Sequence, residues 1–220
     1  MSKVVIATTT LSPTFDLRLK LAVKTVEIAC SKGYSVVIVD GGSPVEFRDI
    51  VRKTGAVFFE ESIKGMGPSR RQAKLEAGKL AGVDGIVVWM EPEKHTFVNE
   101  IPKVIMPLIN KSADLVIPAR KSLHTYPKEQ QHAEEIGNLA VYYLTGKKLD
   151  FWFGPRVMNQ RALDIFLKYS GRYGDKWDSI QIPVLECIGA GLNVVGIEVD
   201  YSHPTEQTKA EEGNIVMLIK

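Results

Sequence analysis

The chain has 220 residues, 45% of them hydrophobic, enough to bury most of its apolar surface around one core, and its 28 basic and 26 acidic residues leave a formal net charge of +2. That balance excludes the large single-sign field behind non-specific nucleic-acid or membrane-surface binding, so a charged ligand has to be held by local groups. Two cysteines, Cys30 and Cys187, each among apolar neighbours, exclude a disulfide scaffold.

Residues 1–8 carry one lysine and a short apolar run, unlike the longer apolar core of a signal peptide, and read as a first strand. No stretch approaches the ~20 apolar residues of a membrane-spanning helix. The expected location is therefore the cytoplasm. Short β-branched runs bounded by turn residues then predict strands at 4–7, 36–39, 57–59, 85–89 and 115–117. Between them, amphipathic stretches predict helices at 17–31, 44–53, 69–80 and 97–110, the first three stopped by Gly33, Gly55 and Gly82. Strand and helix alternate, which implies an α/β fold: a mainly parallel sheet covered on both faces, with ligands beyond the carboxyl ends of its strands. After Pro118 the rhythm loosens, with helices expected near 129–144, 161–169 and 180–188 and a strand at 194–199. The segment from Pro204 to the C-terminus reads as a mobile flap or a packed terminal strand.

Such a sheet gathers the residues that follow its strands on one rim: Thr8, Thr9, Thr10, Asp40-Gly41-Gly42-Ser43, Glu60-Glu61 and Glu91-Pro92-Glu93. Asp40 is placed either to accept hydrogen bonds from a ribose or base, or to cap the following helix. Lys64-Gly65-Met66-Gly67-Pro68-Ser69-Arg70-Arg71 combines glycines, a helix start and two arginines, a combination that favours an anion such as a diphosphate. It lacks the spacing of a P-loop, and no dinucleotide fingerprint follows the first strand. Glu91 and Glu93 offer oxygen ligands for a hard divalent cation, Mg²⁺ or Mn²⁺, or else form an acidic turn opening a helix. His203, after the last strand, is a candidate third ligand.

Taken in order, these motifs with Gly154-Pro155-Arg156 and His203 resemble the GT-A glycosyltransferases over roughly residues 3–207. The late histidine is similar to that of the mannosylglycerate and glucosyl-phosphoglycerate synthase group. The resemblance implies a Rossmann-like, three-layer α/β/α fold in one domain, with residues 1–117 as the nucleotide half and 118–220 as the acceptor half. It implies transfer of a single sugar from a nucleoside-diphosphate sugar to a small-molecule or lipid-linked acceptor hydroxyl, with no nucleic-acid partner and homo-oligomerisation left open. Thr8, Thr9, Asp40, Lys64, Gly65, Arg70 and Glu91 then face the donor, and Glu91, Glu93 and His203 the divalent metal. Arg120, Tyr126, Gly154 and Arg156 face the acceptor. Asp178, with Asp175 second, is the candidate to act as base or to bind an acceptor hydroxyl in Trp177-Asp178-Ser179-Ile180-Gln181, the alternative being that either aspartate caps a helix. Glu-Pro-Glu replaces the family's Asp-x-Asp. The competing readings are a non-catalytic nucleotide-sugar binding module and a sugar nucleotidyltransferase, although the latter's Gly-rich loop is missing from residues 7–13.

Overall fold

The computed structural model describes residues 2–211. All seven of their strands form one sheet: β1 (Val4–Thr10), β2 (Ser35–Asp40), β3 (Val57–Glu60), β4 (Ile86–Trp89), β5 (Leu115–Arg120), β6 (Arg156–Met158) and β7 (Val194–Val199), in the order β3-β2-β1-β4-β6-β5-β7. Every pairing is parallel except the two made by β6, which runs antiparallel to both β4 and β5. The central strands are buried on both faces, with β4 reading Ile-Val-Val-Trp and wholly inaccessible. Continuous β-branched runs have that property, because each face of the strand meets a layer of helices.

One layer consists of α1 (Leu17–Ser31), α2 (Val45–Lys53), a 3-10 turn at His95–Glu100 and α4 (Ile101–Ile109). The other contains α3 (Met66–Ala81), α6 (Gln160–Lys168) and α7 (Asp178–Gly189), with Val141 of α5 (Lys128–Thr145) packed beside them. Asp16 caps α1 by accepting the Leu19 N–H at 3.1 Å, and Gly33, at φ 82°, turns the chain into β2. Cys30 and Cys187 are both free thiols.

Four local expectations change. The helix foreseen at 97–110 divides at Ile101, where the 3-10 turn gives way to α4 with Pro102 in its first turn; a proline there has no N–H to continue the ladder behind it. The helix expected from Ser69 starts three residues sooner, at Met66, after Gly65 at φ 132°. The three-residue β6 has no counterpart among the predicted strands. Residues Thr205–Glu211 form the short helix α8 rather than a flap or a strand, while residues 212–220 lie outside the described residues.

Candidate active site

Parallel pairing brings the strand ends level. Thr10, Asp40 and Glu60 sit side by side across β1, β2 and β3, while Ala7, Trp89 and Arg156 align across β1, β4 and β6. Because β6 runs the other way, its beginning lies where β4 ends, so Gly154 meets the Glu91-Pro92-Glu93 turn.

On the β1–β3 side, Asp40 is buried and saturated from several directions. Thr10 Oγ1 donates to Oδ1 at 2.7 Å, and the N–H groups of Gly42 and Ser43 donate to Oδ2 at 3.1 and 2.9 Å. Arg48 Nε lies 3.3 Å from the same oxygen. Asp40 thus closes the Gly41–Ser43 turn without capping α2, whose start at Pro44 has no side-chain cap. Thr8 is buried with its hydroxyl unpartnered, Thr9 is half-buried, and Lys64 and Gly65 are exposed ahead of α3.

Arg70, in the first turns of α3, is buried between Trp177 and Trp89, 4.5 and 5.6 Å from their ring centres. It donates to the Lys176 carbonyl at 3.0 Å. Burial lowers its pKa to about 10 against the pull of Glu91, Glu93 and Asp178, so it stays cationic at neutral pH. Arg71 grips Asp175 through two 2.6 Å bonds, and Asp175 takes a left-handed backbone (φ 56°) while its carbonyl accepts the Gly67 N–H at 2.9 Å. A Cβ at Gly67 would sit 1.8 Å from Asp175 Oδ1, so only glycine admits this clamp.

Both candidate bases, Asp178 and Asp175, are engaged within the protein beside that clamp. Asp178 accepts the Lys176 N–H at 2.6 Å, the Asp175 N–H at 3.3 Å and the Tyr169 hydroxyl at 2.5 Å. Although its partial burial works the other way, these donors hold its carboxyl below the ordinary aspartate value. These three donors tie Asp178, at the start of α7, to the 171–178 loop and to Tyr169 at the end of α6. Asp175 is occupied by Arg71.

The acidic turn is different. Glu91 is buried with its carboxylate pressed against Gly154, where a Cβ would lie 1.6 Å from Oε1. Its Oε2 has no hydrogen-bond partner and lies 3.9 Å from Lys94 Nζ, itself set over the rings of Phe153 and Tyr201. Burial raises the Glu93 carboxyl; Lys94 opposes the rise, and Glu91 adds to it. His203 is buried, stacked on Tyr126 with ring centres 4.4 Å apart, and its Nδ1 is 2.8 Å from Thr208 Oγ1. Among the described residues, no three His, Cys, Asp or Glu side chains already converge as a metal cage.

Two expected acceptor residues turn out to be internal braces. Arg156 is fully inaccessible, donating to the carbonyls of Phe151 at 2.7 Å, Pro155 at 2.9 Å and Ile180 at 3.3 Å, and to that of Phe153. Buried without a carboxylate partner, it has its pKa lowered to about 10. Arg120 spends its guanidinium on Asp150 at 2.7 Å and Glu134 at 2.5 Å, stacked over Tyr126 and Phe153. Tyr126 is buried beneath it, and Gly154 serves Glu91 rather than open space. Sequence reasoning passed over Lys74, Trp89, Lys94 and Asp150. A lysine on an amphipathic helix or a carboxylate in a loop gives no sign of burial until the layers above it are known.

Two shallow depressions, about 260 and 320 Å³, lie at the β2–β3 edge beside Val57 and Leu80, with the second reaching Cys30 and Thr54. Neither touches the rim, where the charged groups are. Chemistry outranks concavity here, because the depressions bring no titratable cluster together.

No family model and no curated protein matches the chain. Solved structures do. The glucosyl-3-phosphoglycerate synthase of Mycobacterium tuberculosis, crystallised with Mn²⁺, UDP and phosphoglyceric acid, superposes with a TM-score of 0.64 at 11% identity, over 99% of this chain and 77% of its own. The fold is GT-A. The same synthase with UDP-glucose and Mn²⁺ gives a TM-score of 0.63 at 12% identity, over 94% and 74% of the two chains. A further mycobacterial protein gives 0.65 at 12% identity, over 99% and 74%. At such identities the likeness covers the GT-A backbone, and activity has to be argued from the side chains. No helix among the described residues is long and apolar enough to cross a membrane.

Proposed function

We propose that this GT-A chain is a glycosyltransferase that moves one sugar from a nucleoside-diphosphate sugar to a hydroxyl of a small-molecule or lipid-linked acceptor, assisted by a divalent metal. The observation that carries the proposal is the Glu91-Pro92-Glu93 turn at the end of the central strand β4. There two partly or wholly buried carboxylates share one neighbourhood with the buried Arg70, and one carboxylate oxygen has no hydrogen-bond partner. Buried carboxylates with an incomplete set of partners are suited to a cation.

The residues present fit Mg²⁺ or Mn²⁺. Such ions are commonly held by one or two carboxylates together with substrate phosphates, so a three-residue cage is not required. Glu93 is the ligand of choice, with Glu91 behind it and His203 as a second ligand. When bound, the metal supplies positive charge that offsets the charge gathering on the leaving diphosphate. The rest is done by the chain. Arg70 adds a fixed cation on the same side, at the N-terminal end of α3, where the helix dipole favours anions. Trp89 and Trp177 keep that guanidinium in place. As the acceptor hydroxyl oxygen attacks the anomeric carbon, the bond from that carbon to the diphosphate oxygen breaks, the nucleoside diphosphate departs, and the hydroxyl proton passes to the departing diphosphate or to water. Thr8, Thr9, Asp40, Lys64 and Gly65 stand around the same rim as the donor-facing set.

Glu93→Gln removes the charge and keeps the shape. We expect transfer to fall by about 10² or more, the scale of losing one electrostatic contribution in an active site, with the fold intact by circular dichroism. Undiminished transfer in this variant would remove the metal from the proposal.

A further inference from the structure

The outward side of α5 carries apolar side chains that nothing in the described chain covers. Ile136, Leu139, Tyr143 and Leu144 are 70%, 54%, 79% and 81% exposed, and Val141 is the only residue of this 18-residue helix that is fully buried. At 100° per residue, Ile136, Leu139 and Tyr143 fall on one stripe with the small Ala140, and Leu144 flanks it. Trp152 extends the patch. It lies across the helix at Gly137, where a Cβ would come within 1.9 Å of its indole nitrogen, and remains 42% exposed.

We infer that this face pairs with the same face of a second copy of the chain, α5 running antiparallel to α5 about a two-fold axis near Leu139 and Ala140. Three observations favour that occupant. The first is size: with aromatic side chains at about 150–250 Å² each, the patch amounts to several hundred Å². That approaches the ~800 Å² per partner of a standard interface. The second is self-complementary shape, since a two-fold axis midway between Leu139 and Ala140 sets the bulky Tyr143 against Ile136 of the partner subunit and brings the two helices close at the small Ala140. The third is charge. Antiparallel pairing sets the positive end of each helix dipole beside the negative end of the other, whereas parallel pairing would align like ends. The inference is independent of the proposed activity.

Sedimentation velocity on the full chain tests it. Wild type is expected at twice the 24.4 kDa chain mass. Leu139→Glu with Tyr143→Glu is expected to weaken association about a hundredfold, the effect of removing central hot-spot residues, and to run as a monomer. Val83→Glu, an equally polar change at a site 84% exposed and far from α5, is expected to stay dimeric. Orientation has its own readout: oxidised Ala140→Cys should yield a covalent dimer and Glu129→Cys should not. A monomeric wild type at its highest soluble concentration would overturn the inference, as would a dimer indifferent to the double substitution or a cross-link at Glu129→Cys alone. Flotation with anionic phospholipid vesicles covers the remaining case: a monomer whose vesicle binding disappears in the double variant would assign the face to lipid and also overturn it.

Discussion

Gly154 and Glu91 form a contact in which one methyl group decides geometry. A Cβ at residue 154 would stand 1.6 Å from Oε1 and 2.2 Å from Cδ, so the carboxylate must leave its place in Gly154→Ala. The expected outcome is loss of metal-dependent donor binding by calorimetry, with a drop in Tm of about 2–4 °C for each kcal/mol of strain. Lys74 offers the opposite experiment. Its ammonium is fully buried over the Trp89 ring at 4.7 Å with no hydrogen-bond partner, and burial, reinforced by Arg70 and Arg71, holds its pKa well below the usual lysine value. A lysine whose pKa is depressed on folding contributes stability only above its unfolded pKa, and that contribution is lost as the pH falls through the folded value. At pH 7 the amine is therefore a cost. Lys74→Met should raise Tm at neutral pH, and the gain should vanish near pH ~10.5, where the unfolded lysine also loses its proton. A thermal melt series against pH reads this directly, and a lower Tm at pH 7 would contradict it.

Among the elements, α3 is joined to the loop that leads into α7 by the Arg71–Asp175 pair, part-buried and bidentate, and by the Gly67 N–H to the Asp175 carbonyl. Asp175→Ala removes the carboxylate and leaves a residue that tolerates φ 56° poorly. We expect about 1–3 kcal/mol of destabilisation, from Arg71 losing its partner and from backbone strain. Limited proteolysis should find new cleavage within 171–178, and an unchanged digestion pattern would contradict the clamp. The element level is also where the sequence was most legible. The β-branched runs of β1, β2, β3, β5 and β7 and the amphipathic period of α1 and α5 are local signals, and their elements appear within three residues of expectation at nearly every boundary. What eluded it was non-local. β6 is three residues long and owes its existence to two neighbours distant in sequence.

For the whole molecule, one antiparallel strand within an otherwise parallel sheet organises the site. It carries Gly154 to the end of β4, buries Arg156 as a brace beneath it, and confines the charged groups to a single rim. Periodicity foretold that rim and the acidic turn on it, since both depend on where strands stop. The half after Pro118 was less legible, because Arg120 and Arg156 look like surface residues until Asp150, Glu134 and the carbonyls that engage them are brought near by folding. The central claim is that the Glu91-Pro92-Glu93 turn serves a sugar nucleotide through a divalent cation. Its most direct test is calorimetric titration with UDP-, GDP- and other nucleotide sugars, each with and without Mn²⁺ or Mg²⁺. The account predicts that one donor binds only with metal and that Glu93→Gln abolishes the binding. Absence of binding across the whole panel, or donor binding indifferent to both metal and Glu93, would contradict it.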